Sequence, residues 1–264
     1  SLSGTDAGNY TVNTIATTTA DIAALGITGA ITAANRTYDG TTDAAITSRT
    51  LTGVIGGDTV SYVGGTATFA DKNAALGKTV TATGLSLFGT DAGNYTVNTI
   101  ATTSADIAAL GITGAITAAN KTYDATADAT ITSRTLTGVI GGDTVSYVGG
   151  TATFSDKNAA IGKTVTATGL GLTGADANNY TVNTTAATTA DIAALDITGA
   201  ITAANKTYDA TTAATINNRT LTGVLSGDTV SYVGGTATFA DKDVGLGKTV
   251  TATGLGLAGT DAGN

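Results

Sequence analysis

The chain has 264 residues and a formal net charge of −8, with 42% apolar and 12% charged positions and no Pro, Cys, Met, Trp or His. Glu and Gln are missing as well, so all 20 acidic residues are Asp and thirteen residue types build the whole chain. These absences exclude an imidazole base, a thiolate nucleophile, disulfides and ordinary zinc or copper sites, and the acidic balance argues against a nucleic-acid partner.

Taken from the N-terminus, Tyr10-Thr-Val-Asn-Thr-Ile alternates and predicts a strand with Tyr10 and Val12 on one face. Ala20–Gly26, with Asp21 near its start and a closing Gly, reads as a single helical turn. Tyr38-Asp39 reads as a packed Tyr at a strand end followed by an Asp that closes a turn. Asp58–Phe69 reads as a hairpin, two short strands folded around Gly64-Gly65. Asp71–Gly77 repeats the single-turn helix signal, and Lys78–Gly84 alternates as a strand with Val80 and Ala82 on one face. Gly56-Gly57-Asp58 and Asp91-Ala-Gly-Asn94 are turns, which gives six or seven short strands in this stretch.

The same order then recurs. Tyr10, Tyr95 and Tyr180 open one phrase, Tyr38, Tyr123 and Tyr208 a second, and Tyr62, Tyr147 and Tyr232 a third, every spacing being 85. Residues 10–94 and 95–179 differ at only 11 of 85 positions, among them Arg36/Lys121, Gly40/Ala125 and Phe88/Thr173, so the units are near-copies. A period this long exceeds a solenoid coil and suits an independently folding domain. The expected fold class is therefore all-β, a tandem array of small β-sandwich (Ig-like) domains with an 85-residue period, with β-grasp-like small β domains as the alternative. With junctions in the Ala-rich segments, residues 1–25 are the C-terminal strand segment of a preceding repeat. Residues 26–110 and 111–195 are complete domains, and 196–264 is a domain lacking its final strand. The chain opens on Ser and reads as an excerpt of a longer array. An open sheet edge is a template for another strand, so residues 10–20 of one copy are candidates to complete the third domain of the next.

Candidate sites are few. Asp71-Lys-Asn73, Asp91–Asn94 and Asp241-Lys-Asp243 offer oxygens to calcium, but six to eight ligands are needed and a Lys sits in two of the three runs. Lys78, Lys163 and Lys248 lie near Asp and Asn and raise an intramolecular Lys–Asn bond, which is not expected to form. Asn9-Tyr-Thr and Asn35-Arg-Thr fit the N-glycosylation pattern in a Thr-rich chain where chance matches are common. Thr79-Val-Thr81 resembles an ice-binding array without its short coil repeat. No catalytic, cofactor-binding or metal residue is assigned, and the chain is read as no enzyme. No membrane insertion is expected either, because no run of 18 apolar residues occurs.

Thr37-Tyr-Asp-Gly-Thr-Thr42, Gly57-Asp-Thr-Val-Ser61, Phe69-Ala-Asp-Lys-Asn73, Gly77-Lys-Thr-Val80 and Thr90-Asp-Ala-Gly-Asn-Tyr-Thr96, in fixed order, resemble the YDG repeat of filamentous-haemagglutinin-type bacterial surface proteins. The nominal Gly is present only at Gly40; Ala125 and Ala210 replace it, so a left-handed glycine conformation is not required there. The resemblance implies an exported adhesin, fibre or biofilm protein in which the units form a non-enzymatic stalk or spacer at the cell surface or beyond. Its expected partners are neighbouring repeats of the same or identical chains, up to a homopolymer or filament. A multivalent carbohydrate- or protein-binding module is the rival, and an exposed row of Tyr would favour it.

Overall fold

The computed structural model describes residues 1–264 as strands, turns and three short 3₁₀ turns. The chain divides into two compact units, Ser1–Ala108 and Ala109–Asn264.

The first unit holds one complete repeat: β1 (Leu25–Ala33), β2 (Arg36–Thr37), β3 (Asp43–Ala44), β4 (Ile46–Thr52), β5 (Ser61–Phe69), β6 (Ala75–Phe88), β7 (Tyr95–Val97) and β8 (Ile100–Ala108). They form a three-stranded sheet in the order β4-β1-β7 and a five-stranded sheet in the order β2-β8-β6-β5-β3. The pairings β1–β7 and β2–β8 are parallel and the others antiparallel. Alternation places Ile27 and Ile31 of β1 inward, and Val80 and Ala82 of β6 and Ala101, Ala105 and Ile107 of β8 are buried with them.

The second unit repeats this with β9 (Leu110–Ala118), β10 (Lys121–Thr122), β11 (Asp128–Ala129), β12 (Ile131–Thr137), β13 (Ser146–Phe154), β14 (Ala160–Thr173), β15 (Tyr180–Val182) and β16 (Thr185–Ala193), in sheets β12-β9-β15 and β10-β16-β14-β13-β11. Its core gathers Ile116, Tyr123, Tyr147, Phe154, Val165, Leu170 and Ile192. A third repeat follows with β17 (Thr198–Ala203), β18 (Ala213–Ala214), β19 (Ile216–Thr222), β20 (Ser231–Phe239) and β21 (Val250–Ala258), in sheets β17-β19 and β18-β20-β21. It has no counterparts of β7 and β8, and Ala237 is its only buried apolar residue. At the other end, residues 1–24 form no strand; Tyr10, Ile15 and Ile22 are 71%, 80% and 99% exposed. The strand expected over Tyr10–Ile15 is therefore absent there, although its copies form β7 and β15.

Several expectations are corrected. Each complete repeat has eight strands rather than six or seven, and no α-helix forms, which leaves nothing for a β-grasp sheet to hold. Ala20–Gly26 forms no helical turn, and β1 has already begun at Leu25. Asp71–Gly77 is a bend: Asp71 Oδ1 accepts from Asn73 N at 2.8 Å, and Ala75 pairs with Ile107 at the start of β6. The tertiary ladder overrides a weak local helix signal. The helical turns that do form, at Ala7–Asn9, Ala92–Asn94 and Ala177–Asn179, lie in segments that read only as turns.

The Gly64-Gly65 hairpin does not form either; both residues lie inside β5 with φ of 73° and 83°, and the ladder passes from Gly64↔Leu85 to Thr66↔Thr83. Gly65 and Gly84, the latter at φ 74°, are thus skipped opposite each other. The consequence is a change of face: Tyr62 and Phe69 are an odd number of residues apart, as are Ala82 and Leu85, yet all four are buried. Only a one-residue dislocation in each strand lets side chains of both parities face one core.

Gly40 has φ 79°, and Ala125 and Ala210 take the same left-handed conformation with φ 64° and 63°, so the position needs that conformation although it does not need glycine. Asp124 Oδ1 accepts from Thr126 N and Thr126 Oγ1, both at 2.9 Å, and holds the turn that imposes this conformation. Ala125→Gly should therefore stabilise the second repeat by about 1 kcal/mol, the usual cost of an L residue in the left-handed region. A rise in melting temperature would show it; an unchanged or lower one would mean that the alanine is not strained.

Candidate functional site

The YDG-like motif folds into a tight turn beside an aromatic ring. Arg36 Nη1 donates to Asp39 Oδ2 at 3.0 Å, and its guanidinium lies 5.1 Å from the Phe69 ring centre. In the second and third repeats Lys121 and Lys206 take the same place, against Asp124 and Phe154 and against Asp209 and Phe239. The Lys121 ammonium and then the Thr126 N–H draw the Asp124 carboxyl down to about 2, and Lys206 and Thr211 do the same for Asp209. Asp39 is lowered chiefly by the Thr41 backbone N–H. The Asp of the motif is thus an exposed turn-closing ion.

The Tyr of the motif is buried, 1% exposed at Tyr38 and 4% at Tyr123. The Tyr123 hydroxyl donates to Asp228 Oδ1 of the third repeat at 2.9 Å. Lys157 Nζ donates to the same oxygen at 2.9 Å and lies 3.3 Å from Asp261 Oδ1, with its ammonium 5.6 Å from the Tyr123 ring centre. The Tyr123 hydroxyl and then Asp228 hold the Lys157 ammonium above its ordinary pKa. Leu195 N donates to Asn264 O at 2.6 Å and Ala159 N to Asn264 Oδ1 at 2.9 Å, while Leu225 packs against the second repeat's core. This joint between the second and third repeats gathers one aromatic and three charged side chains. Sequence reasoning missed it, because Asp228 stands 105 residues from Tyr123 in a Ser-Gly-Asp turn with no local mark of its partner.

A second cluster ties the two sheets of each complete repeat. In the second repeat, Gly114 N donates to Asn183 Oδ1 at 2.8 Å, and Asn183 Nδ2 donates to Gly114 O, Tyr147 Oη and Thr185 O. The Tyr147 hydroxyl donates to Asn183 O at 2.8 Å. Tyr180 Oη donates to Asp143 Oδ2 at 2.6 Å and accepts from Ile140 N.

The remaining candidates are engaged within the fold. Lys78 and Lys163 meet Asp71 and Asp156 at 2.6 Å, and Lys248 meets Asp241, so each of these lysines has an Asp rather than an Asn as its carboxyl neighbour. Asp91 Oδ2 accepts from Thr59 N at 2.8 Å. Asp241 Oδ1 accepts from Asp243 N, and no group of three or more acidic side chains is gathered for a metal. Asn35 Oδ1 accepts from Asp106 N at 2.8 Å, which fastens the start of β2 to β8. No helix is long and apolar enough to cross a membrane.

The profile of the YDG domain matches residues 22–105, 108–190 and 192–264, three copies in tandem. No curated protein and no solved structure matches the chain at significance.

Proposed function

Because the chain belongs to the YDG domain family, we propose that it is a non-enzymatic structural repeat, a stalk or spacer of an exported bacterial surface adhesin or extracellular fibre of the filamentous-haemagglutinin type. On this reading each unit is a small Ig-like sandwich recurring at 85 residues, placed at the cell surface or beyond, and length is added in proportion to copy number. The observation that carries the reading is the joint: the motif's buried Tyr123, with Lys157, is spent on Asp228 and Asp261 of the next repeat rather than on an open pocket. A multivalent carbohydrate- or protein-binding module has less support, since Tyr38, Tyr62, Tyr95, Tyr123, Tyr147 and Tyr180 are all buried.

Arrays of increasing repeat number provide the test. Their maximum dimension, by small-angle scattering or electron microscopy, should rise linearly with copy number. Particles that grow only as the cube root of mass, as compact globules do, would sink the stalk reading.

A further inference from the structure

Each complete repeat fastens the chain at the two places where it enters and leaves. In the second repeat the entering residues pair in parallel with β15, from Tyr180↔Leu110 to Val182↔Ile112. The leaving residues, Ile192 and Ala193, pair in parallel with Lys121 and Thr122, and Tyr123 N adds a bond to Ala193 O at 2.8 Å. The other pairings of this repeat are antiparallel. The first repeat does the same, with Leu25↔Tyr95 to Ile27↔Val97 at its entrance and Arg36↔Ile107 and Thr37↔Ala108 at its exit.

Both short ladders are lengthened by an asparagine side chain. Asn183 follows β15, where the chain turns away towards β16. Its Oδ1 accepts from Gly114 N at 2.8 Å and its Nδ2 donates to Gly114 O at 3.1 Å, two residues beyond the last backbone pair. The side-chain amide thus makes the two bonds that a further strand residue would make. At the exit, Asn120 precedes β10, and its Oδ1 accepts from Asp191 N at 2.8 Å, next to Ile192. Asn98 with Gly29 and Asn35 with Asp106 repeat both arrangements in the first repeat. Tyr180, Ile112 and Ile192 beside these bonds are buried, so water does not readily replace them.

Strand direction decides what tension along the chain does to these ladders. Pulling draws β9 by its first residue and β15 by its last, through β16. In a parallel pair those are opposite ends, so the strands are dragged past each other lengthwise and every bond is loaded at once. The same holds for β16, drawn by its last residue, and β10, held through Asn120 from its first. An antiparallel pair drawn apart at one end, as β9 and β12 would be at Thr113↔Thr137, opens one bond at a time. Rupture of all bonds together raises the unfolding barrier, the quantity that governs forced unfolding.

We propose that the two parallel ladders, with Asn120 and Asn183 as their terminal links, form a mechanical latch by which each complete repeat resists tension applied through its own ends. The proposal rests on the stalk reading only for the source of the tension; the resistance belongs to the fold of the repeat.

Because the chain has no Cys, a pair of introduced cysteines sets the axis along which one repeat is pulled. In the 264-residue chain, Ala109→Cys with Ala194→Cys loads both ladders of the second repeat along their length. Ala109→Cys with Gly141→Cys draws β9 from β12 at one end, and Gly141 is exposed with open space where a side chain would go. Under the same constant force in optical tweezers, the repeat should unfold at least roughly tenfold more slowly along the first axis than along the second. Asn120→Ala combined with Asn183→Ala should speed unfolding along the first axis roughly tenfold more than along the second, because the ladder bonds it removes are loaded together only there. Asparagines that merely stabilised the fold would speed both axes equally. The comparison of axes with both asparagines in place stands by itself if the double variant does not fold. Equal rates along the two axes, or equal acceleration of both by the asparagine variants, overturns the proposal. Neither result touches the stalk reading, which rests on length against copy number.

Discussion

Alanine at Gly114 is expected to lower the stability of the second repeat by about 3 kcal/mol, the upper range for forcing extra atoms into a packed site. The cause is position rather than conformation. Gly114 sits in β9 without a left-handed φ, so alanine suits its backbone, but the added Cβ would overlap the ring of Tyr147. That ring cannot swing aside without breaking the hydroxyl's bond to Asn183 O and the Asn183 Nδ2 bond it accepts. Asn183 in turn holds Gly114 N and O, so displacing the ring strains all of these links between the sheets at once. Gly111, three residues earlier in the same strand, supplies the control. A Cβ there would meet only Thr181 Oγ1 at 3.7 Å, an ordinary contact, and Gly111→Ala should change stability by less than about 0.5 kcal/mol. Thermal or denaturant unfolding of the two variants separates the cases; equal effects would mean that the Tyr147 contact is not what requires glycine.

Sequence patterning exposed those parts of the fold that depend on near neighbours. Val80 and Ala82 were visible as one face because alternation is a local property, and both are fully buried. Asp71, Asp91 and Gly57 were visible as turn formers for the same reason. The Gly64-Gly65 pair misled, because two adjacent glycines signal a reversal as readily as a bulge, and only the position of β6 along all of β5 decides between them. Ala125 misled because its left-handed φ is imposed by the Asp124 and Thr126 bonds, against the residue's own preference. The joint was the least legible. Tyr123, Lys157, Asp228 and Asp261 come from four separate turns and strand ends, and no spacing rule links them. The one usable signal was that each recurs in every copy wherever the chain extends far enough, which marks a role in the repeat without naming the partner.

Removing the Asp228 carboxylate should uncouple the third repeat from the second by about 3 kcal/mol, the cost of stripping the shared acceptor from a buried hydroxyl and an ammonium. Asp228 is 5% exposed while Lys157 is 37% exposed, so most of this comes from the Tyr123 hydroxyl, whose partner is lost inside the joint, and less from the partly solvated ion pair. Hydrogen exchange of the 264-residue chain reads the effect. Amides of the Val224–Asp228 loop should open about 100-fold more often in Asp228→Ala, at 1.4 kcal/mol for each factor of ten, while those of β13 and β14 change little. Tyr123→Phe should give a smaller change, about tenfold, because it removes one bond and leaves Lys157 on Asp228. The combined variant should open little more than Asp228→Ala alone, since both substitutions delete the same contact. Salt distinguishes this clasp from a surface attraction: a carboxylate so nearly buried is weakly screened, so exchange in the unmodified chain should hardly respond to ionic strength. Strictly additive effects, or loosening by salt as large as that caused by the substitution, would show that the joint is an exposed ion pair rather than a buried link through Tyr123.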